Sequence, residues 1–174
     1  ARLGGPNGIV RQTEFFLYTN NDREALEQCR ALGHRYPEIT SWIRADKSDF
    51  RLVKEAGVAE TGMLTSSSDY HIFHKLKKDR RTAFNDYLEV VEAAWEAGIR
   101  PRCHLEDVTR ADIEGFVLPF VQELVKRSEQ VAPELHVKIR LCDTMGFGIS
   151  TPGVALPRSI PKLIYRMIDD AGVP

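Results

Sequence analysis

The chain has 174 residues, of which 43% are hydrophobic and 28% charged, and its formal net charge is −1. This composition is typical of one compact globular domain, and it lacks the basic excess of a dedicated nucleic-acid binder. The apolar runs are too short to cross a membrane, and the start ARLGGPNG does not resemble a signal peptide. Three cysteines without a CxxC pair indicate reduced thiols. We therefore expect a single domain over residues 1–174, in a cytoplasmic protein that binds neither nucleic acid nor membrane.

Short extended segments alternate with longer helical ones along the chain. The helical segments carry apolar residues at a spacing near 3.6 and begin at capping residues such as those of TNND. Strands are predicted over residues 11–18, 38–45, 60–67, 101–108 and 136–146, the third being the weakest, and helices over residues 23–32, 46–58, 81–99, 112–135 and 156–172. This order repeats a β-α unit about five times, which predicts a parallel sheet with right-handed crossovers.

Two α/β architectures fit this order: an open doubly wound sheet and a (β/α)8 TIM barrel. The doubly wound fold favours a glycine-rich turn after a strand, but MGFGISTPG lacks the third glycine of that motif. A barrel collects polar residues at the carboxyl ends of its strands, and the segments that begin at Arg44, Thr65, Glu106 and Asp143 are polar there. Because a complete barrel has about 250 residues, we predict a partial TIM barrel of about five β-α units.

The predicted fourth strand carries three polar side chains on one face. Side chains alternate along a strand, so Arg102, His104 and Glu106 in RCHLEDVTR point to the same side. Glu106 lies at the carboxyl end, where barrel enzymes place acids and bases, and it is our candidate catalytic residue. A buried arginine needs a partner. Arg102 therefore belongs either to a structural ion pair or to a site for an anionic substrate, and the sequence leaves both open.

Several other polar residues have a structural explanation beside a functional one. Thr144 in LCDTMG either binds a carboxylate or caps the next turn, and the cap is the simpler explanation. In TSSSDYHIFHKLKK the hydroxyls and lysines either contact a phosphorylated ligand or belong to a solvated helix and its cap. His71 and His74 share a helical face, but two histidines without a third ligand are weak evidence for a metal site. We expect Asp107 and Arg110 to brace the loop after the fourth strand.

Three motifs together resemble a known family. TSSSDYHIFHKLKK, RPRCHLEDVTRAD and RLCDTMGFGISTP, in this order and separation, resemble the acyl-CoA-condensing branch of the DRE-TIM metallolyases. That branch contains the 2-isopropylmalate, homocitrate, citramalate and Re-face citrate synthases. The resemblance runs over nearly the whole chain, which would then cover strands two to six of the barrel. The opening GGPNGIVRQTEFFLY looks most like the Re-face citrate synthases.

The resemblance implies an acyltransferase that condenses acetyl-CoA with a 2-oxo acid in a Claisen reaction and releases CoA. Glu106 matches the catalytic glutamate of the family, and Thr144 matches the threonine that binds the carboxylate of the 2-oxo acid. Arg102 matches an arginine that contacts this acid in the homocitrate synthases. His104 stands where a serine is common, so the substrate pocket differs there. Asp46 stands where homocitrate synthases have a substrate-contacting histidine, which weighs against that activity.

The family's enzymes use a divalent metal ion, Mg, Mn or Zn, and two segments that supply its ligands have no match in this sequence. These segments are D-x-x-x-R-D-G-x-Q on the first strand and an H-x-H pair on the seventh. We therefore expect the chain to be part of a longer enzyme, to lack the metal ligands and to be inactive alone. The resemblance also implies a homodimer whose small-molecule substrates are acetyl-CoA and the 2-oxo acid.

Two other functions stay open on the sequence. One is cleavage of a carbon–carbon bond, as in the 3-hydroxy-3-methylglutaryl-CoA lyases of the same superfamily. The other is a non-catalytic barrel fragment that serves only in binding or assembly. The identity of the 2-oxo acid is also open, because oxaloacetate, 2-oxoisovalerate, 2-oxoglutarate and pyruvate differ in one substituent.

Overall fold

The computed structural model describes residues 9–174, so the GGPNG stretch of the opening motif lies outside the described residues. The strands are β1 (Gln12–Phe15), β2 (Glu38–Arg44), β3 (Glu60–Ser66), β4 (Arg100–Glu106) and β5 (Lys138–Cys142). The α-helices are α1 (Asn20–Ala31), α2 (Phe50–Glu55), α3 (Arg80–Glu96), α4 (Leu118–Ser128) and α5 (Ile160–Tyr165). Short 3₁₀ turns cover Lys47–Asp49, Val108–Arg110 and Pro133–Leu135, and π-helical turns cover Tyr70–Lys75, Ile113–Val117 and Arg166–Asp170.

The five strands form one parallel sheet in the order β1-β2-β3-β4-β5. Each strand therefore pairs with the next one along the chain, as in a TIM barrel, whereas a doubly wound sheet reverses its strand order at a switch point. The fold is an α/β partial barrel, which confirms the predicted fold class. Within residues 9–174, no helix combines the length and the apolar character that crossing a bilayer requires.

The two faces of the sheet have opposite polarity. On the outer face, residues such as Ile43, Met63 and Leu105 pack with the helices into one hydrophobic core. Successive side chains of a strand alternate between faces, and the inner face carries most of the charged residues of the strands. Its members include Gln12, Glu14, Thr40, Glu60, Arg102, His104 and Arg140.

Side-chain caps determine where the helices begin. Thr19 and Asp22 form a capping box at α1, in which the Thr19 hydroxyl accepts the Asp22 N–H at 3.2 Å and the Asp22 carboxylate accepts the Thr19 N–H at 2.9 Å. The Asp79 carboxylate accepts the Thr82 N–H at 2.7 Å at the start of α3, and Ser159 caps α5. These caps fix the length of the loops that follow the strands, where the candidate site residues lie.

Three helices are shorter than the sequence pattern predicts. The pattern over residues 46–58 gives only α2, since a 3₁₀ turn precedes the helix. The pattern over residues 112–135 gives only α4, because a π-helical turn precedes the helix and the Ser128 hydroxyl, at its end, accepts the N–H of Val137 at 3.1 Å. Pro119 lies in the first turn of α4, where a missing N–H is tolerated. The pattern over residues 156–172 gives α5, which starts after Ser159, followed by a π-helical turn.

The strand with the weakest sequence signal is the central one. β3 is buried at six of its seven positions, between β2 and β4. Its small residues have a packing reason: a Cβ atom on Gly62 would lie 2.7 Å from Nε2 of His104, so the imidazole leaves room there only for glycine. The small side chains that weaken the strand signal therefore make space for the inner-face residues of β4.

The hydrophobic core between the sheet and the helices predicts that two leucine substitutions differ in their effect on stability. Leu124 in α4 is fully buried, whereas Leu32 after α1 is 65% exposed. Leu124→Ala should lower the free energy of unfolding by about 2–5 kcal/mol, since it removes buried methyl groups and leaves a cavity. Leu32→Ala, the matched control, should change it by less than about 0.5 kcal/mol. Urea titration followed by circular dichroism measures both, and similar losses in the two variants would contradict this packing.

Candidate active site

Glu106 ends β4 at the carboxyl edge of the sheet, where the side chains of neighbouring strand ends meet. Its register partner is Ser66, the last residue of β3, whose hydroxyl donates a hydrogen bond to the Glu106 carboxylate. Lys75, from the π-helical turn after β3, places its Nζ 2.9 and 2.8 Å from the two carboxylate oxygens. The candidate catalytic carboxylate is thus held by a hydroxyl and an ammonium group from the preceding β-α unit.

These contacts keep Glu106 ionised. Burial raises the pKa of Glu106, but hydrogen bonds from Lys75 and Ser66 and the electrostatic influence of Lys75 and His71 outweigh it, so the pKa lies below its ordinary value. Nδ1 of His71 lies 3.1 Å from Oε2 of Glu106, yet it makes no hydrogen bond with a described residue. At neutral pH the site therefore offers a carboxylate that can accept a proton, next to a second titratable group.

The loop after β4 is tied to the end of β5. Asp107 is fully buried and has a φ of 63°, a left-handed conformation that an aspartate tolerates better than most residues. Its carboxylate accepts hydrogen bonds from Arg110, at 2.9 and 2.6 Å, and from Ser68 at 2.6 Å, so the expected bracing pair is present. Its N–H donates to Oγ1 of Thr144 at 2.8 Å. Thr144 therefore lies at the same edge, two residues beyond Cys142, the register partner of Glu106.

Asp46 lies two residues beyond β2, at the same edge of the sheet. Its Oδ1 accepts hydrogen bonds from the N–H and the hydroxyl of Ser48, at 2.9 and 2.8 Å, and so caps the following 3₁₀ turn. The side chain is exposed and its partners are local. Its role in substrate binding stays a prediction.

Arg102 lies deeper on the inner face, with a side chain that is only 3% exposed. Its Nη1 donates to Gln12 and, at 2.8 Å, to Glu60, and its Nη2 donates to Glu14 and, at 3.2 Å, to Thr40. The structural ion pair, one of the two alternatives that the sequence leaves open, is therefore present. The substrate-binding role of Arg102 stays a prediction.

His104, between Arg102 and Glu106 on the same face, is neutral at pH 7. Burial, together with the charges of Arg140 and Arg102, lowers its pKa to about 4, against the opposing effect of Glu14. The indole N–H of Trp42 can only donate and lies 3.2 Å from Nδ1 of His104, so Nδ1 accepts. The other ring nitrogen, Nε2, accepts the Nε–H of Arg102 at 3.2 Å and lies 3.3 Å from Oε1 of Glu14. His104 thereby presents to the inner face an uncharged ring that Trp42 and Arg102 hold in place.

The structure adds two residues that the sequence interpretation missed. The Lys75 ammonium group forms an ion pair with Glu106, whereas the sequence of its segment indicates a solvated helix or a site for a phosphorylated ligand. Arg140 on β5 is the register partner of His104 and lines a cavity of 370 Å³. The period-two alternation of KIRLC already places Arg140 on the polar face, so that signal was available in the sequence. The cavity is lined by Glu14, Phe16, Trp42, His104, Arg140 and Cys142.

The divalent metal that the family resemblance implies finds no binding site in the described part of the chain. Within residues 9–174, no three His, Cys, Asp or Glu side chains come close enough together to hold a metal ion. His71, Glu106 and Asp107 are neighbours, but Nε2 of His71 is 3.9 Å from Asp107 and the carboxylates bind Lys75 and Arg110. The described residues therefore do not fit the metal.

Comparisons with known proteins decide the family. The family model described as HMGL-like matches residues 13–170 of the chain. The chain belongs to the HMGL-like family. It is 59% identical to "Citrate (Re)-synthase" of Syntrophus aciditrophicus, over 100% of this chain and 27% of that protein. It is 53% identical to "Citrate (Re)-synthase" of Clostridium kluyveri, over 99% of this chain and 38% of that protein.

A third relative of the chain is also named as a synthase. The chain is 46% identical to "2-phosphinomethylmalate synthase" of Streptomyces hygroscopicus, over 93% of this chain and 37% of that protein. The resemblance to the acyl-CoA-condensing branch is therefore confirmed. The chain spans less than two fifths of the length of each of these relatives. Among solved structures, hydroxymethylglutaryl-CoA lyase from Pseudomonas aeruginosa matches 74% of this chain and 41% of its own, with 21% identity and a TM-score of 0.49.

The contacts of Arg102 predict a strong effect on stability. Arg102→Gln removes the most deeply buried cation from the buried Glu60 and the half-buried Glu14, which should lower the free energy of unfolding by about 3–5 kcal/mol. The control is Arg51→Gln, which breaks an exposed pair with Glu55 (2.8 Å) and should cost at most about 1 kcal/mol. Urea unfolding measures both variants. A loss for Arg102→Gln no larger than that of the control would rule out a structural pairing role.

The contacts of Glu106 predict a change in its titration. Lys75→Met removes a hydrogen-bond donor and a charge that lower the pKa of Glu106, so the pKa should rise. Because the pKa of Glu106 is lowered in the folded state, the stability that its ionisation contributes is lost as pH falls through the folded pKa. In Lys75→Met that loss should begin at a higher pH. Carbon-13 NMR of the glutamate carboxyl groups measures the shift.

Lys78→Met is the control for this titration, since the Lys78 ammonium group pairs with Asp86 at 2.6 Å and not with Glu106. It should leave the titration of Glu106 unchanged. Equal titration curves for Glu106 in the wild type and in Lys75→Met would show that Lys75 does not hold the carboxylate ionised.

Proposed function

We propose that the full-length protein is an acyltransferase that condenses acetyl-CoA with oxaloacetate, releases CoA and forms citrate. Two relatives named "Citrate (Re)-synthase" support the citrate assignment, since they match 100% and 99% of this chain at 59% and 53% identity. Citrate is the sum of an acetate unit and oxaloacetate, which makes oxaloacetate the 2-oxo acid. The coarser proposal, condensation with a 2-oxo acid, has the wider support of the related synthases.

The observation that carries this proposal is the ionised carboxylate of Glu106 at the carboxyl edge of the sheet. Barrel enzymes perform their chemistry at that edge. In a Claisen condensation of this type the methyl group of acetyl-CoA loses a proton, the resulting carbanion attacks the ketone carbon of the 2-oxo acid, and the alkoxide takes up a proton. Water then hydrolyses the thioester bond of the adduct, which leaves a free carboxylate and releases CoA. An ionised carboxylate can accept the first proton. Lys75 and Ser66 keep Glu106 in the form that this step needs.

The neighbouring residues are assigned to the oxygens of the 2-oxo acid. Thr144 is exposed at the edge, and its hydroxyl donates only to the Cys142 carbonyl, at a long 3.5 Å. That proton can turn toward the carboxylate beside the ketone, so we assign Thr144 to it. His104 and Arg102 form the floor below this position, and Asp46 lies at its rim. In this arrangement His104 offers the substrate a neutral ring rather than a charge.

An activity assay tests the proposed function. The full-length protein is given acetyl-CoA with oxaloacetate, 2-oxoisovalerate, 2-oxoglutarate or pyruvate, and free CoA is measured through its thiol. We expect oxaloacetate to give the highest kcat/KM and citrate to accumulate in equal amount to CoA. If another 2-oxo acid is preferred, the citrate assignment is wrong. If none of the four acids gives CoA above background, the condensation itself is ruled out.

The role of Glu106 predicts a loss of turnover on substitution. Glu106→Gln keeps the size and polarity of the side chain but cannot accept the proton, so kcat should fall by about 10²–10⁴-fold. Glu89→Gln is the control, since Glu89 is 60% exposed in α3 and pairs with Lys47 away from the sheet edge. Steady-state kinetics with oxaloacetate measures both. A kcat for Glu106→Gln near that of the wild type would remove Glu106 from the chemistry.

A further inference from the structure

The inner face of β5 carries an arginine whose donors are only partly used. Arg140 is 41% exposed, and its Nη1 donates to Oε2 of Glu14 at 2.6 Å. Within the described residues, its Nε and Nη2 have no acceptor. These two N–H groups form one straight edge of the guanidinium, and two parallel N–H groups match the two oxygens of a carboxylate. Arg140 is therefore equipped to bind a carboxylate without giving up its bond to Glu14.

Arg102 is not equipped in this way, although it lies on the neighbouring strand. Its terminal nitrogens already donate to Gln12, Glu14, Thr40 and Glu60, and its side chain is 3% exposed. A ligand carboxylate could reach Arg102 only by displacing one of these protein acceptors. Of the two arginines, Arg140 is the one with free donors and an open approach.

The charges around Arg140 favour an anion. Glu14 divides its two oxygens between Arg102 and Arg140, so neither guanidinium has a whole carboxylate to itself. His104, directly opposite Arg140 in register, is neutral. Glu14 is the carboxylate that pairs with Arg140 within residues 9–174, and the other carboxylate of this layer, Glu60, pairs with Arg102 and Lys138 instead.

Arg140 also stands at a suitable distance from the reacting atoms. Glu106 is the register partner of Cys142, two residues beyond Arg140 along β5. Two residues of a strand span about 7 Å, so Arg140 lies one layer below the proposed proton acceptor, at the cavity of 370 Å³. A small diacid whose ketone is near Glu106 can extend its second acid group into that layer.

We propose that Arg140 binds the second carboxylate of the 2-oxo acid and thereby selects 2-oxo diacids over 2-oxo monoacids. This inference rests on the proposed condensation and adds to it the residue that determines substrate choice. Trp42 and the neutral His104 form the wall beside the bound carboxylate, and Glu14 holds the guanidinium in place. A monoacid such as pyruvate has no group for Arg140, so its binding does not depend on this residue.

The test compares Arg140→Gln with the wild type in the full-length protein, with oxaloacetate and pyruvate as substrates. The KM for oxaloacetate should rise about tenfold or more, as expected for the loss of a charge-assisted bond, with kcat little changed. The KM for pyruvate should stay nearly constant. Arg140→Lys, which keeps the charge, should recover part of the preference. Equal changes for both acids, or no change for either, would overturn the assignment.

Lys138→Gln is the matched control, since it removes a cation from the same face of the same strand, where Lys138 pairs with Glu60 at 2.5 Å. It should leave the ratio of the two KM values unchanged. If Lys138→Gln lowers the preference for oxaloacetate as much as Arg140→Gln does, any cation on this face has the same effect, and the assignment of Arg140 is overturned.

Calorimetric binding of freshly dissolved oxaloacetate and pyruvate separates this inference from the proposed function. If the wild type releases no CoA, the condensation fails, but oxaloacetate binding that is lost only in Arg140→Gln still supports the carboxylate site. Binding that is absent or unaltered overturns it.

Discussion

A buried guanidinium must be paired on every side, and Arg102 meets this demand with acceptors from three other strands. Gln12 and Glu14 come from β1, Thr40 from β2 and Glu60 from β3. Removing either carboxylate, Glu14 or Glu60, takes an ion-pair partner from a buried charge, which costs more than the pair contributes when intact. The inner face is therefore held by polar contacts that require all of these strands at once, whereas the outer face is held by apolar packing against the helices.

The inner face is arranged in layers, and each layer differs in how far the protein itself satisfies its polar groups. In the deepest layer the terminal nitrogens of Arg102 are fully engaged. One layer up, Nε and Nη2 of Arg140 have no acceptor among residues 9–174, and the neutral His104 lies beside them. At the carboxyl edge, Glu106 is bound by Lys75 and Ser66 yet can accept a proton. In the proposed function, structural pairing, substrate selection and proton transfer follow one another from the floor to the edge of the same face.

Much of this arrangement can be predicted from the sequence, because alternation along a strand needs only the positions of its residues. The inward direction of Arg102, His104 and Glu106 and the polar carboxyl edge follow from it, as does the parallel order of the strands. Which partner each side chain finds could not be predicted, since Lys75 reaches Glu106 from a separate β-α unit. The same limit applies to Arg102, whose acceptors lie up to 90 residues away, and to the number of free donors on Arg140.

In the proposed function one polar inner face both binds the acid and performs the proton transfer. A crystal structure of the full-length protein grown with citrate tests this double role. One citrate carboxylate should lie against Nε and Nη2 of Arg140, a second near the hydroxyl of Thr144, and the acetyl-derived arm at Glu106, with the contacts of Arg102 unchanged. Citrate bound away from this face, or bound by Arg102 after the loss of Glu14 or Glu60, would contradict it.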